Sequence, residues 1–206
     1  MIVKQLPLGV IQTNCYMVGC KETGEGVVID PGDEAERVLA EVKAAGLTIK
    51  YVLNTHAHFD HIMANADVVR ATGAPLALHP LDLPLLRQRG GAGFFGVAAP
   101  ASPEPDIKLA EGDTIVFGRH TFEVLFTPGH TPGHVSFYER SQGIVFDGDV
   151  LFAGGIGRTD LPGGDYETLM ESITEKLMTL PDDTVVCSGH GPVTTIGRER
   201  AGNPWL

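Results

Sequence analysis

The stretch Thr55-His56-Ala57-His58-Phe59-Asp60-His61 decides how the rest of the chain is read. Four of these seven side chains are good divalent-metal ligands. They sit between an apolar run, Tyr51-Val52-Leu53, and an apolar-periodic segment that begins at Ile62. A β-strand that stops where a helix begins would place them on the connecting loop. There His56 and His58 can point one way while Asp60 and His61 point another. A single ion takes three or four ligands, so a loop that offers two pairs suggests two adjacent ions. A lone histidine is commonly a hydrogen-bonded core residue, but this spacing after an apolar strand has no packing rationale.

Three further stretches have the same look. Thr127-Pro128-Gly129-His130, Asp147-Gly148-Asp149 and Gly189-His190-Gly191 each follow an apolar strand. Glycine beside a ligand lets the backbone turn sharply and approach closely. From strand ends, all of these can converge on one edge of a sheet pair.

Around these positions the chain alternates short strands and helices. Strands are predicted over residues 2–6, 14–18 and 26–29 as an antiparallel meander. A helix follows, capped by Asp33 with Glu36 as in a capping box, buried through Val38, Leu39 and Val42, and stopped at Gly46. A strand over 49–54 delivers the His-rich loop, and a helix near 62–71 ends at Gly73. A strand over 75–78 and a short helix over 81–89 come next. Residues 90–103 carry no charge and are rich in Gly, Ala and Pro around Phe94 and Phe95. They read as a mobile surface connection, with an apolar flap over bound substrate as the alternative. Strands resume over 107–109, 114–117, 121–126, 135–138 and 144–146, with His120 expected as a solvated turn residue. Asp165 caps a helix over 166–180 whose buried face carries Leu169, Ile173 and Leu177, and a last strand covers 184–187.

A chain of 206 residues suits a single domain, 1–206, or two closely fused halves. No linker composition divides it. The formal charge of −11 argues against a nucleic-acid partner, since neutralising phosphates needs a basic field. No run of apolar residues is long enough for a membrane span, and residues 1–10, with Lys4 as their only charge, read as a first strand rather than a secretory leader. Cys15, Cys20 and Cys187 form no Cys-x-x-Cys pair and read as reduced thiols, which points to a cytoplasmic protein.

The set Thr-His-x-His-x-Asp-His, then Thr-Pro-Gly-His, Gly-Asp and Gly-His-Gly, in this order, resembles the metallo-β-lactamase superfamily. The resemblance spans nearly the whole chain. It implies an α+β fold, a four-layer αββα sandwich with a metal site at one edge of the two sheets. It implies two divalent ions, zinc first with iron or manganese as alternatives. His56, His58 and His130 would hold one ion, Asp60, His61 and His190 the other, and Asp149 would bridge both. A hydroxide shared by the ions would be the nucleophile, with Asp60 as the catalytic carboxylate that orients it.

Within the superfamily the chain is similar to the glyoxalase II (hydroxyacylglutathione hydrolase) branch. Asp149 stands where many true β-lactamases place a cysteine. The segment from Leu151 to Gly164 resembles that branch's substrate side, and the tail Arg198-Glu199-Arg200-Ala201-Gly202-Asn203-Pro204-Trp205 resembles the end of its core domain, without the helical domain that follows in full-length enzymes. The implied activity is hydrolysis of a small-molecule thioester of the S-lactoylglutathione type. Arg158 would bind a substrate carboxylate through its fork. His134 would orient ligands by hydrogen bonding, and His79 is structural.

An iron-dependent persulfide dioxygenase is the alternative, because Gly157-Arg158-Thr159-Asp160 also resembles that branch. Its single iron would use His56, His130 and Asp149. Such enzymes carry a cysteine where this chain has His134, which favours the hydrolase. A non-catalytic metal-binding module is the third reading, disfavoured because purely structural sites close their coordination shell. Oligomeric state is not legible in the sequence.

Overall fold

In the computed structural model, which describes residues 1–206, the three N-terminal β-branched runs form an antiparallel meander of β1 (Ile2–Leu8), β2 (Thr13–Gly19) and β3 (Glu25–Ile29). The chain then crosses over through α1 (Ala35–Ala44) to β4 (Thr48–Leu53), which lies parallel to β3. The single turn α2 (Phe59–Ile62) and α3 (Asn65–Thr72) lead to β5 (Leu76–Leu78). After α4 (Leu83–Arg87) and a 3-10 helix at Arg89–Phe95 comes β6 (Ile107–Lys108). Both β5 and β6 add in parallel, giving a mixed sheet of order β1-β2-β3-β4-β5-β6. Parallel strands need covered faces. Val38 and Val42 of α1 and Val68 of α3 supply that cover, packing with Leu6, Met17, Val28, Val52 and Leu76.

The chain divides into two compact units, Met1–Leu109 with Val116–His120, and Ala110–Ile115 with Thr121–Leu206. The later half of the chain carries β7 (Thr114–Phe117), β8 (His120–Phe126), β9 (Val135–Glu139) and β10 (Ile144–Gly148). A two-stranded hairpin of β11 (Leu151–Phe152) and β12 (Gly155–Ile156) precedes α5 (Tyr166–Glu175). Then come β13 (Val185–Ser188), β14 (Thr194–Thr195) and α6 (Ile196–Gly202). The second sheet, of order β14-β13-β10-β9-β8-β7, is also mixed, with β13 parallel to β10. Leu169, Ile173 and Leu177 pack on Tyr138, Val145 and Val186 as one core. No helix is long and apolar enough to cross a membrane.

Four expectations are corrected. Asp33 does not cap α1: Glu34 holds that position in a left-handed conformation (φ 47°), and Asp33 Oδ1 accepts the Glu34 N–H instead. Glu34 is drawn there because its carboxylate accepts the Gly9 N–H at 2.7 Å. The helix expected near 62–71 is broken, because the Ala64 N–H donates to Pro31 O at 3.0 Å. Asp60 and His61 accordingly lie inside α2 rather than on an open loop. His120 is buried rather than solvated, its ring 5.7 Å from that of Phe117. The turn is tightened onto Gly118 (φ +58°) and Arg119, which pairs with Glu22. Finally, α5 stops at Glu175, and Leu177–Thr179 form a separate 3-10 turn. Leu180 is extended, as a residue before proline must be.

Candidate metal centre

In the first unit, the ends of β3 and β4 lie side by side, with Ile29 paired to Leu53. That register brings Asp30 against Thr55. Asp30 Oδ1 accepts the Thr55 N–H at 2.8 Å, and Oδ2 accepts the Thr55 hydroxyl at 2.7 Å. His61 Nδ1 lies 3.0 Å from the same Oδ2. Thr55 has one hydroxyl proton, and with it given to Asp30 the oxygen accepts from His56 Nδ1 at 3.0 Å. The network therefore assigns the proton of both imidazoles to Nδ1 and presents Nε2 as the ligand atom.

The rings of His56 and His61 are 4.1 Å apart, and those of His56 and His58 stand perpendicular at 4.9 Å. Asp60 Oδ2 accepts the Thr13 hydroxyl at 2.8 Å and lies 3.5 Å from His61 Nε2. The backbone is held as tightly. Buried Asp82 accepts the Ala57 N–H at 2.9 Å. At Gly32 an added Cβ would stand 1.7 Å from the Asp60 carbonyl oxygen, so only glycine fits against this turn.

In the second unit, Asp149 Oδ2 lies 3.5 Å from His130 Nε2 and 3.5 Å from His190 Nε2. His130 Nδ1 donates to the Arg158 carbonyl at 2.7 Å, which again leaves Nε2 as the ligand atom. His134 Nε2 accepts the Asp149 N–H at 3.1 Å. Its Nδ1 donates to Thr127 Oγ1 at 3.1 Å, and that hydroxyl meets Ser136 Oγ at 2.9 Å. Both ring nitrogens of His134 are thus engaged, and the residue steers the Asp149 backbone rather than offering a ligand.

The approach to Asp149 is a β-bulge between Phe146 and Gly148, and Asp147 is the bulged residue. Asp147 Oδ2 accepts the Leu151 N–H at 2.9 Å, which closes the turn that carries Asp149. Full burial pushes the Asp147 carboxyl well above the usual carboxylate range. Gly157 fills the remaining space, since a Cβ there would stand 1.9 Å from the Asp149 carbonyl oxygen. Phe152 on the β11–β12 hairpin sets its ring edge-on to His190 at 6.2 Å.

The donor set fits divalent metal. Ligand atoms about 2.1 Å from one tetrahedral ion lie about 3.4 Å from each other. The pairs Asp60–His61, His130–Asp149 and His190–Asp149 are each separated by 3.5 Å. Each of His56, His61 and His130 also has an oxygen partner at Nδ1, the usual arrangement for a metal-bound imidazole.

Of the positions singled out in the sequence, the first unit gathers His56, His58, Asp60 and His61, and the second gathers His130, Asp149 and His190. Arg158 is turned aside. Its guanidinium makes two bonds of 2.7 Å to Asp160, which hold the Asp160 carboxyl down to about 2. His79 Nδ1 accepts the Leu81 N–H and starts a 3-10 turn, the structural role expected. Sequence reading missed Asp30 and Asp82, and named Asp147 within Asp147-Gly148-Asp149 without giving it a role. Asp30 and Asp147 each end or follow an apolar strand, and that was the available signal. Asp82 had none.

Comparison with known proteins agrees with this geometry. The metallo-beta-lactamase superfamily profile matches residues 8–190. Hydroxyacylglutathione hydrolase GloC of Haemophilus influenzae is 40% identical over 214 residues, covering 100% of this chain and 98% of that protein. Mitochondrial persulfide dioxygenase ETHE1 of Mus musculus is 37% identical over 199 residues, covering 94% and 71%. Among solved structures, the B3 metallo-beta-lactamase BLEG-1 superposes with a TM-score of 0.94 at 42% identity, covering 100% of this chain and 99% of that one. A di-iron-bound form of TTHA1623 gives 0.91 at 47% identity, covering 99% and 100%.

Proposed function

The chain belongs to the metallo-beta-lactamase superfamily and has its α+β fold, and from that premise we propose that it is a dinuclear metal-dependent hydrolase of thioesters of the S-lactoylglutathione type. On this reading His56, His58 and His130 would hold one ion, Asp60, His61 and His190 would hold the other, and Asp149 would serve both. The observation that carries this reading is the position of Asp149 Oδ2, equidistant at 3.5 Å from two imidazole nitrogens assigned to different ions. The relative named for hydroxyacylglutathione hydrolysis supports the choice of substrate.

A bound ion pair supplies an activated water near neutral pH and polarises the acyl carbonyl. The protein's own groups do the positioning. Asp60, anchored by Thr13, accepts a hydrogen bond from the attacking water and aims its lone pair at the carbonyl carbon. The water's oxygen forms the new C–O bond as its proton is given up to solvent, the C–S bond breaks, and the thiolate leaves with the bonding pair. Arg158 takes a carboxylate of the substrate in exchange for Asp160, which occupies its fork in the absence of ligand.

A substrate without phosphates suits the acidic chain, whose formal charge is −11. The three unbridged thiols support a cytoplasmic setting. Zinc is the first candidate metal, with iron or manganese acceptable to the same ligands. Metal analysis of the purified protein should find about two ions per chain. S-lactoylglutathione hydrolysis should disappear on chelation and return with metal. A fully loaded protein that leaves this thioester intact would overturn the proposal.

The mouse relative's activity supports a second reading, a persulfide dioxygenase with one iron on His56, His130 and Asp149. It leaves Asp60, His61 and His190 without a role. Oxygen uptake on adding glutathione persulfide separates the two.

A further inference from the structure

We propose, resting on the reading of Asp60 as a metal ligand, that the cleft beside it is a subsite for a short uncharged aliphatic acyl group. A cavity of about 70 Å³ opens there in the first unit, walled by Val10, Ile11, Phe59, Met63 and Val97, with Asp60 at one end. This volume holds about five water-sized groups, which matches a short alkyl chain. The only charged side chains in the wall are Asp33 and Asp60, both acidic. An ion held by Asp60 would offset that carboxylate's charge, so the like charge a carboxylate-bearing group would meet in this cleft is that of Asp33, whereas an alkyl group meets none.

The second observation is how the wall is presented. Val10 is 99% exposed and Ile11 47% exposed, yet they ride on a built turn. Gly9 N donates to Glu34 Oε1 at 2.7 Å, and Gly9 O accepts from Gln12 Nε2 at 2.6 Å. Gly9 and Gln12 both take positive φ, at 63° and 59°. A turn fixed at this conformational cost, offering aliphatic side chains to water, is preorganised for an apolar ligand.

Phe59 in the wall is braced as well. Phe95 stacks on Phe59 at 5.5 Å, and Ala92 and Ala99 pack against Phe59. Gly90 makes this possible, since a Cβ there would stand 2.2 Å from Phe59 N. The uncharged segment after α4 is therefore the backing of the cleft.

The test uses the metal-loaded protein with N-acetylcysteamine thioesters of acetate, butyrate and hexanoate. The kcat/KM should rise about fourfold per methylene until the cleft is full. In Ile11→Asp and Val10→Asp the butyryl-to-acetyl ratio should fall toward one. Methyl NMR with the non-hydrolysable amide analogue of the butyryl thioester should shift Val10, Ile11 and Val97 more than its acetyl counterpart does.

A flat chain-length series together with unshifted methyls overturns the subsite. Shifted methyls with no thioester hydrolysed sink the proposed chemistry and leave the subsite standing. Should sedimentation show that Ile11→Asp dissolves a dimer while the acyl ratio stays unchanged, the cleft is a contact between copies and the subsite is refuted.

Discussion

Asp30 Oδ2 and His61 Nδ1 lie 3.0 Å apart, and the same carboxylate holds Thr55, which in turn holds His56. One buried acid thereby assigns the protons of two candidate ligands. Asp30→Asn is the clean variant, because asparagine tolerates the positive φ of 50° at this position. It keeps one acceptor but turns a donor toward Thr55 or His61. Metal affinity should fall about 10- to 100-fold, measured by competition with a chromogenic chelator. Unchanged affinity would mean that the two imidazoles are oriented without it.

His134 should behave as a support for Asp149. His134→Ala strands the buried Asp149 N–H, at a cost of about 1–3 kcal/mol, and leaves the Thr127 hydroxyl with Ser136 Oγ as its partner. Both thermal stability and metal affinity should drop. Loss of metal with no change in the metal-free melting temperature would instead mark His134 as a ligand.

Gly157→Ala forces a Cβ to within 1.9 Å of the Asp149 carbonyl, and backbone must move. Overpacking of this kind costs about 1–3 kcal/mol, or about 2–12 °C of melting temperature in a protein of this size. Metal content should fall with it. Gly155→Ala, without a positive φ and with an added Cβ no nearer than 3.8 Å to Phe152 Cβ, serves as the control.

The three thiols should titrate apart. N–H groups of Arg119 and Thr23, with the Thr23 hydroxyl, lower the Cys20 thiol to about 7. Burial pushes Cys187 up to about 12, with the Asp147 charge adding to it, and raises Cys15 as well. Cys20 is only 2% exposed, so alkylation of native protein should be slow, but mass spectrometry should find Cys20 labelled before the other two, with a rate that climbs through about pH 7. For stability the signs are opposite. The Cys20 contribution is present above the ordinary thiol value of 9.0 and is lost as pH falls through about 7. The Cys187 contribution is present below 9.0 and is lost as pH rises toward about 12, so Cys187→Ser should flatten the alkaline decline.

Much of the molecule was legible because most of its candidate ligands follow strand ends, where an apolar run gives way to His, Asp and Gly. The meander, the α1 crossover and the Asp165 cap followed from β-branched runs and turn chemistry. What escaped was every feature set by a distant partner. Asp30 stands in the sequence only as the first residue after an apolar run, before Pro31 and Gly32, and its work depends on the register of β3 with β4. His120 is the exception, since its partner Phe117 lies only three residues back, across the Gly118-Arg119 turn whose composition suggested exposure. The doubled Thr-Pro-Gly-His motif gave His130 and His134 identical neighbours, yet the structure uses one Nε2 toward Asp149 Oδ2 and the other as an acceptor for its backbone.

The last helix reaches further than its place in the chain suggests. Glu199 takes the Gly154 N–H at 2.8 Å, and Asn203 donates to Gly155 O at 3.0 Å. Both bonds clasp the hairpin whose Phe152 leans on His190. Asn203→Ala would open one arm of that clasp, so the hairpin beside His190 owes its order in part to a helix that carries no candidate ligand.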